Sequence, residues 1–300
     1  MRVTMLADVA PRPRRLALGE FDGVHLGHRA VIAGSDTVVT FEPHPRWVLR
    51  PNDAPKLLTT LEVKTELIAS LGVQELVVIP FDDRFRAQTP QQFIDEVLVG
   101  RLCATSVSIG ENFRFGAQAA GGPDLLVADP RFDTRVVRLV EVDGEVVSST
   151  HIRALVAAGD VAAAARFLGA PFQLRGTVVR GDGRGRRLGF PTANIVPDER
   201  LVHPAFGVYA ARADGACAAV SIGVRPTFGT SLAPLIEAYL LDRDEDLYGR
   251  KLSLSFIERL RGERRFDSPD GLVEQMRLDV ARVRELCGRH GAAGQGAGLC

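Results

Sequence analysis

The sequence has little lysine and no excess of charge. Only three of its 37 basic residues are lysine, and 37 acidic residues balance them. Proteins whose main partner is nucleic acid usually carry a basic excess, so this balance argues against nucleic-acid binding. We interpret the arginine bias itself as a reflection of genome composition rather than as a phosphate-binding feature.

Cysteine is also scarce, and long apolar runs are absent. The four cysteines, Cys103, Cys217, Cys287 and Cys300, show neither a CxxC pair nor a metal-ligand spacing. Four such residues in 300 do not form a disulfide framework, which fits a reducing compartment. No apolar run approaches the ~18 residues of a membrane span, and the first residues lack a signal-peptide core. These absences predict a cytoplasmic protein with no membrane segment.

What is present is the composition of a globular protein with room for two domains. Of the 300 residues, 46% are hydrophobic and 25% are charged. In the first half, short β-rich runs at 15–18, 37–41, 76–79 and 107–109 alternate with helical patterns. One helix is predicted to begin after the N-cap Thr59 and another at Thr89-Pro90, while 149–168 reads as two helices broken at Gly159. This alternation predicts a parallel sheet covered by helices.

The second half has a different pattern, with β runs separated by glycine-rich turns. The runs at 174–179, 207–212, 218–222, 235–241 and 252–257 predict a small antiparallel barrel, and a helix beginning at Ser268-Pro269 closes it. Residues 291–300 have no apolar period and are predicted to be a disordered tail. We therefore expect domains at 1–170 and 171–290, with the boundary near Ala170.

The first motif that points to chemistry is GEFDGVHLGH at 19–28, where the first strand gives way to a helix. At this position an open α/β sheet presents helix N-terminal amides to anions. His25 and His28 fall on one face of the helix start and can both donate to phosphate oxygens. The alternative for either histidine alone is a capping or core role, and no third ligand at zinc spacing follows.

Four motifs in order carry a resemblance to a known family. GEFDGVHLGH, TFEPHP at 40–45, GENFRFG at 110–116 and SSTHIR at 148–153 resemble the adenylyltransferase module of the bifunctional prokaryotic riboflavin kinase/FAD synthetase family. The resemblance extends from Arg14 to Gly288 and implies a Rossmann-like nucleotidyltransferase domain. It implies that His25, His28 and Arg153 stabilise phosphate charge. The implied nucleotide- or flavin-binding residues are Gly19, Phe21, Asp22, Gly23, Asn112, Ser149 and Thr150.

The second motif is GDGRGRRLGFPTAN at 181–194. Its glycines expose backbone amides, its arginines supply positive charge, and Thr192 and Asn194 offer neutral oxygens that suit Mg²⁺ on ATP phosphates. The spacing is not that of the common P-loop, and a bare Gly/Arg loop would be only a flexible turn. With PTAN attached, the segment resembles the riboflavin kinase signature. The resemblance implies a nucleotide- or flavin-binding role for Gly181, Gly185, Gly189, Pro191, Thr192 and Asn194, with Thr192 and Asn194 as metal ligands.

A kinase that acts on a primary alcohol also needs a group that orients and deprotonates the hydroxyl. In the family this group is a glutamate on a later strand, in a context that Glu237 matches ahead of Leu247-Tyr248-Gly249. The alternative for Glu237 is an outward-facing strand residue. The segment at 222–228, which contains Arg225 and Thr227, also matches the family, and Arg261 and Phe266 fall in its flavin-lid region.

The sequence therefore predicts a cytoplasmic bifunctional enzyme, with small molecules as partners and neither nucleic acid nor membrane. Its barrel would phosphorylate riboflavin to FMN with MgATP, and its first domain would adenylylate FMN to FAD with release of pyrophosphate. Alternatives are a riboflavin kinase with a silent adenylyltransferase module, another nucleotidyltransferase with the same histidine motif, or a non-catalytic flavin-binding protein. Two departures from the family pattern bear on the first module: the short segment after His28, which predicts a two-turn helix, and the carboxylate of Glu20. Nothing in the sequence specifies an oligomeric state.

Overall fold

The computed structural model describes residues 1–181, 183, 185, 188–224, 234–243 and 245–293. It divides into two compact units, Met1–Ser149 and Thr150–Cys300. Within the described residues, none of the helices is both long enough and apolar enough to span a membrane.

A six-stranded parallel sheet forms the centre of the first unit. Its strands are β1 (Arg2–Met5), β2 (Arg14–Leu18), β3 (Thr37–Glu42), β4 (Glu75–Pro80), β5 (Ala104–Gly110) and β6 (Asp133–Val137). Their order in the sheet is β1-β4-β3-β2-β5-β6, so the chain reverses its direction of progress between β2 and β5. The predicted parallel sheet is confirmed.

Helices cover both faces of this sheet. They are α1 (Leu26–Ile32), α2 (Pro45–Leu49), α3 (Leu61–Ala69), α4 (Asp83–Arg86), α5 (Pro90–Gln92, followed directly by the π-helical segment Phe93–Arg101) and α6 (Pro123–Val127). Short 3₁₀ turns occupy Leu6–Asp8, Pro51–Asp53 and Ala117–Ala119, and β7 (Glu141–Val142) pairs with β8 (Glu145–Val146). Alternate residues of β2 enter two different cores, Leu16 and Leu18 on one face and Ala17 on the other. Burial of both faces is what a parallel sheet requires.

An ion pair is buried where the amino-terminal ends of three strands meet. The Glu75 carboxylate accepts hydrogen bonds from Arg14 Nε at 3.0 Å, Arg12 Nη2 at 2.9 Å and Thr4 Oγ1 at 2.9 Å. Arg14 and Glu75 are almost fully buried. Burial alone would raise the pKa of Glu75, but the hydrogen bonds from Arg14, Thr4 and Arg12 outweigh it and hold that pKa below its usual value.

We expect Glu75→Gln to lower the free energy of unfolding of the first unit by about 3 kcal/mol, because Arg14 would keep a buried charge without its partner. A carboxylate with a lowered pKa contributes fully above its ordinary value of 4.5 and loses that contribution as pH falls through the folded-state value. The difference between wild type and variant should therefore shrink on acidification. Urea unfolding followed by fluorescence of Trp47, the single tryptophan, measures it. Asp83→Asn removes an exposed ion pair with Arg86 and should change stability by less than ~1 kcal/mol.

Six antiparallel strands close into a barrel in the second unit. The strands are β9 (Gln173–Val179), β10 (Ala193–Pro197), β11 (Gly207–Ala213), β12 (Ala216–Val224), β13 (Pro234–Leu240) and β14 (Lys251–Arg261), in the order β10-β13-β12-β11-β14-β9. Helices α7 (Ser149–Ala158) and α8 (Val161–Leu168) precede it, and α8 packs on β14. The long helix α9 (Pro269–Ala293) packs Val283 and Leu286 against the barrel. The predicted barrel and closing helix are confirmed.

The structure differs from the sequence predictions in three details. Helix α3 begins after the N-cap Thr60, whose hydroxyl accepts from Val63 N, rather than after Thr59. Helix α9 continues to Ala293, so the first residues of the predicted disordered tail are helical, and 294–300 lie outside the described residues. Strand β10 contains Asn194 of the PTAN motif, where no strand was predicted.

The chain passes from the first compact unit to the second between Ser149 and Thr150, and α8 belongs to the second unit because it packs on β14. The domain boundary near Ala170 stays a prediction.

Candidate active sites

The first candidate site lies at the carboxyl ends of β2 and β5, where the order of strands in the sheet reverses. Gly19 follows β2, Asn112 follows β5, and His25 is the N-cap of α1. In open α/β sheets this switch point is where ligands bind, because the loops on either side diverge and leave a crevice. Asn112 is exposed at the rim of this edge, with its side chain folded towards Gly110.

The two histidines of the motif are stacked. Their ring centroids are 3.5 Å apart with an interplanar angle of 15°, and the edge of the Phe21 ring meets His28 at 5.3 Å. His25 Nδ1 accepts from the backbone N–H of His28 at 3.2 Å, which caps the helix and leaves its proton on Nε2. The histidine side chains are thus fixed at the N-terminus of α1, where the helix dipole favours anions. The predicted two-turn length of α1 is confirmed.

The turn that leads to these histidines has an unusual backbone. Phe21, Gly23 and Val24 have φ values of 51°, 84° and 42°. For the β-branched Val24 this left-handed conformation is strained, and such strain persists only where neighbouring groups hold the chain. The Phe21 ring is buried and packs over Gly19, where an added Cβ would lie 3.0 Å from Phe21 Cζ.

Asp22 contributes to holding the turn. Its buried carboxylate accepts from Leu58 N at 3.0 and 3.1 Å, from Thr59 N at 3.1 Å and from Thr59 Oγ1 at 3.3 Å. Gly23 N in turn donates to Thr59 Oγ1 at 3.1 Å. Thr59 was predicted only as a helix cap; its hydroxyl instead fixes this turn. Nucleotide contact by Asp22 stays a prediction.

The residues of the SSTHIR motif lie at the start of α7. Ser149 Oγ donates to the backbone oxygen of Asp22 at 3.0 Å, so this serine belongs to the same edge as the histidine turn. Thr150 is exposed and Arg153 half-buried on the first two turns of α7. Their role as phosphate ligands stays a prediction.

The carboxylate of Glu20, beside the predicted phosphate site, is paired in the structure. Glu20 Oε2 lies 2.6 Å from Nε2 of the buried His44, whose Nδ1 accepts from Arg46 N. Burial raises the pKa of Glu20, but the hydrogen bond from His44 and the charges of Lys64 and Arg46 outweigh it and lower that pKa. Glu20 is therefore a paired, charged group.

The second candidate site is a cavity of about 550 Å³ in the second unit, between the barrel wall and α9. Cavities of this size hold small organic ligands. The apolar residues that line it are Leu188, Phe190, Val208, Ala219, Leu235, Leu272, Met276 and Val280. Ile236 and Ala238 point to the opposite face of β13 and are fully buried in the barrel, whereas Leu235, Glu237 and Tyr239 face the cavity. Glu237 therefore points outward from the barrel but into a covered pocket.

Three polar side chains of the cavity wall are brought together by strand register. Asn194 on β10 pairs with Glu237 on β13, and Glu237 pairs with Ser221 on β12. Thr192 Oγ1 donates to Glu237 Oε1 at 3.4 Å. The structure thus places the predicted residues Thr192, Asn194 and Glu237 in one cluster, and it adds Ser221, for which the sequence offered no signal.

The glycine loop leads directly into this cluster. Gly185 O accepts from Leu188 N at 3.0 Å and from Phe190 N at 2.9 Å, which closes a tight turn beside the cavity. A Cβ on Gly181 would lie 2.2 Å from Asn194 Nδ2, and Gly189 has a φ of +84°.

Some residues of the glycine- and arginine-rich motif, and all of the segment 225–233, lie outside the described residues. Asp182 and the arginines 184, 186 and 187 lie outside the described residues, as do 225–233 with Arg225 and Thr227. Pro191 is exposed between the loop and Thr192.

An ion pair that sequence reasoning missed also faces the cavity. Arg261 on β14 is bound by Asp279 on α9, with Nη2 to Oδ2 at 2.8 Å, and the Phe266 ring lies 5.8 Å from Arg261 Cζ. Asp279 also accepts from Gln275 at 3.0 Å. The available signal was position: Asp279 stands on the apolar face of α9 next to Val280, where an acidic residue is unexpected.

The donor set of the cluster decides which metal it could hold. Within the described residues, no group of three or more His, Cys, Asp or Glu side chains is placed to hold a metal ion. The Thr192 hydroxyl, the Asn194 amide oxygen and the Glu237 carboxylate are all oxygen donors, which suit Mg²⁺ that keeps waters and phosphate oxygens as further ligands.

Comparisons with known proteins cover both units. The family model described as FAD synthetase matches residues 8–151, and the model described as riboflavin kinase matches 168–287. Relatives from Listeria monocytogenes and Escherichia coli, both named bifunctional riboflavin kinase/FMN adenylyltransferase, are each 38% identical over 90% and 91% of this chain and 91% and 92% of their own. A crystal structure from Streptococcus pneumoniae, described as a macrolide-efflux protein, is 28% identical with a TM-score of 0.86 and covers 95% of this chain and 99% of its own.

Proposed function

This chain belongs to the bifunctional riboflavin kinase/FMN adenylyltransferase family, and we propose which of its two sites carries out each reaction. It is an enzyme with both activities: it phosphorylates riboflavin to FMN and adenylylates FMN to FAD. We assign the first reaction to the barrel cavity and the second to the switch-point site of the first unit. Both reactants of each step are small molecules, and we propose that the enzyme acts in the cytoplasm.

In the cavity, the Glu237 carboxylate accepts the proton of the ribityl 5′-hydroxyl as that oxygen attacks the γ-phosphorus of ATP. The O–H bond breaks, a P–O bond forms, and the bond to ADP breaks with its electrons staying on ADP. Thr192 Oγ1, 3.4 Å from Glu237 Oε1, holds the carboxylate in orientation. The apolar wall formed by Phe190, Leu235 and Met276 is suited to a flavin ring and excludes water from the transfer.

Thr192 and Asn194 are the residues that would hold Mg²⁺. When bound, the ion neutralises charge on the transferring phosphate. Gly181 leaves the space in which the Asn194 amide lies. These observations support the assignment.

At the switch point, the FMN phosphate is itself the nucleophile, so the protein needs to supply orientation and charge stabilisation rather than a covalent group. An FMN phosphate oxygen attacks the α-phosphorus of ATP, and the bond to the pyrophosphate oxygen breaks. The stacked His25 and His28 donate to the phosphate oxygens on which charge grows, and Arg153 is the proposed third donor. Asn112 at the end of β5 contributes to the flavin or nucleotide side.

The observation that carries the proposal is the cluster of Thr192, Asn194 and Glu237 on the wall of one cavity. The experiment is chromatography of riboflavin, FMN and FAD over time, with purified protein, ATP and Mg²⁺. FMN that appears and is then converted to FAD establishes both activities. FMN that accumulates alone would leave the adenylyltransferase site silent, and riboflavin that binds without reaction would leave only a flavin-binding protein.

We expect Gly181→Ala to slow riboflavin phosphorylation, because the added methyl group would displace the side chain of Asn194. The new Cβ would overlap the Asn194 amide, which lies 2.2 Å from its position, and must displace it. A shift of about 1 Å in a reacting group costs about 100-fold in rate, so we expect a fall of that order in kcat for FMN formation. Gly288→Ala on α9 is the matched control because a Cβ there meets nothing within 4 Å. Equal kcat values for the two variants would contradict the role of Asn194.

A further inference from the structure

Lys64 on α3 is a buried charge for which the reactions described above have no role. Its side chain is 6% exposed, and its Nζ donates to the backbone oxygen of Glu20 at 2.8 Å. The same oxygen accepts from Thr40 Oγ1 on β3 at 3.1 Å. A buried ammonium is costly, so it persists only where its surroundings require it.

The group that Lys64 holds is the start of the strained turn before His25. At one end of that turn, the Glu20 carbonyl is fixed by Lys64. At the other end, Gly23 N donates to Thr59 Oγ1, one residue before the N-cap of α3. Helix α3 and the residues ahead of it therefore bind the turn on both sides. The left-handed Val24 directly follows Gly23 and precedes His25, the N-cap of α1, and strain of this kind persists only where neighbouring groups hold the chain.

Lys64 also balances charge under the turn. The carboxylates of Asp22, Glu42 and Glu20 favour its charged form, against the burial that lowers the pKa of Lys64. Without this ammonium, the turn would carry an excess of negative charge beneath the place where a triphosphate must approach. Such an excess would repel the substrate and strain the turn at once.

We propose that Lys64 is a positioning residue for adenylyl transfer: it fixes the Glu20 carbonyl and neutralises the carboxylates beneath the turn, so that His25 and His28 meet the phosphates of ATP in a fixed geometry. This inference rests on the function proposed for the first unit. Lys64 itself is buried below the turn and acts through the backbone that it holds.

The test is Lys64→Met, which keeps an unbranched side chain one atom shorter and removes both the charge and the donor to the Glu20 carbonyl. FMN adenylylation is measured at varied MgATP, and riboflavin phosphorylation is measured on the same preparation. We expect the KM for ATP to rise by about 10-fold and kcat to fall by up to ~100-fold, while phosphorylation stays unchanged. Lys56→Met, at an exposed lysine of the same unit, is the matched control and should leave both reactions unchanged.

A purely structural role is separated from a charge role by the double variant Glu20→Gln/Lys64→Met. Glutamine removes one of the three carboxylate charges that act on Lys64 but keeps an oxygen that can accept from His44. Charge balance predicts that the double variant recovers part of the lost ATP affinity, whereas loss of packing predicts no recovery. If Lys64→Met unfolds the first unit, Lys64→Arg is tested in its place. Because arginine keeps the charge, we expect the KM of this variant for ATP to stay within about three-fold of wild type.

If the wild-type enzyme makes FAD and Lys64→Met has the same KM and kcat, the inference is overturned and the proposed function stays intact. The same conclusion follows if the double variant shows no recovery, or if Lys64→Arg, in the case that calls for it, loses adenylylation. Wild-type enzyme that forms FMN but no FAD would instead contradict the proposed function itself.

Discussion

We expect Glu237→Gln to impair riboflavin phosphorylation severely and to leave FMN adenylylation intact, the largest effect that the structure predicts in the second unit. Glutamine has the same shape and still accepts from Thr192 Oγ1, so the cavity keeps its form. It cannot take the proton of the ribityl hydroxyl. General-base catalysis contributes about 10²- to 10⁴-fold, and we expect a fall of that size in kcat with little change in the KM for riboflavin.

The measurement is the initial rate of FMN formation from riboflavin, with FAD formation from added FMN measured on the same sample. Glu258→Gln is the matched control, since Glu258 is another barrel glutamate, on β14, and faces Arg282 of α9 outside the lining of the cavity. A Glu237→Gln enzyme that phosphorylates riboflavin at the wild-type rate would show that Glu237 is not the base. A Glu258→Gln enzyme that is equally impaired would point to general damage to the barrel.

The position of Glu237 illustrates what a sequence can and cannot predict. Its strand was evident from β-rich residues between turns, and the family resemblance pointed to the residue. The sequence alone left open whether an outward-facing residue of β13 meets solvent. The answer depends on α9, which begins about thirty residues later and covers this face of the barrel. Local pattern predicts the strand, and only tertiary packing makes the pocket.

One error in the first unit has a clear physical origin. A threonine followed three residues later by glutamate is a good capping signal, and Thr59 carries it. In the structure, the Thr59 hydroxyl donates to the Asp22 carboxylate and accepts from Gly23 N, both in a turn distant in sequence, and Thr60 is the N-cap of the helix. At Thr89, no distant partner competes with the cap among the described contacts, and the predicted helix start forms with its reciprocal bond to Gln92. A capping pattern in the sequence predicts the helix start correctly where no long-range hydrogen bond engages the capping side chain.

The sequence around Lys64 and Asp279 carries a signal of buried charge. Each is a charged residue at a position where the helical period places apolar neighbours, Ile68 for Lys64 and Val283 for Asp279. Such a residue needs a buried partner, and the sequence does not identify it. The partners are a carbonyl oxygen on Glu20 and the guanidinium of Arg261, which only the fold brings into contact. Strand β10 was missed for a related reason, because its pairing with β9 and β13 defines it.

His28→Ala is expected to produce the opposite phenotype to Glu237→Gln. Loss of one preorganised donor to a developing phosphate charge costs about 10²- to 10³-fold in kcat. FMN adenylylation should fall by that factor while riboflavin phosphorylation continues, so FMN accumulates in the coupled reaction. Because the cap of α1 uses His25 Nδ1 and the backbone N–H of His28, the substitution leaves the cap in place.

His25 requires a different design, because its ring has two roles. His25→Ala removes a donor and also the cap, which alone costs about 1 kcal/mol of stability. His25→Asn keeps an oxygen that can accept from His28 N, so a loss of adenylylation in this variant reports the donor rather than the helix. His203→Ala, at a second-unit histidine stacked on Phe206, is the control and should leave both reactions unchanged. If His28→Ala retains full adenylylation, the stacked pair is structural, and the donors at the switch point are the helix amides alone.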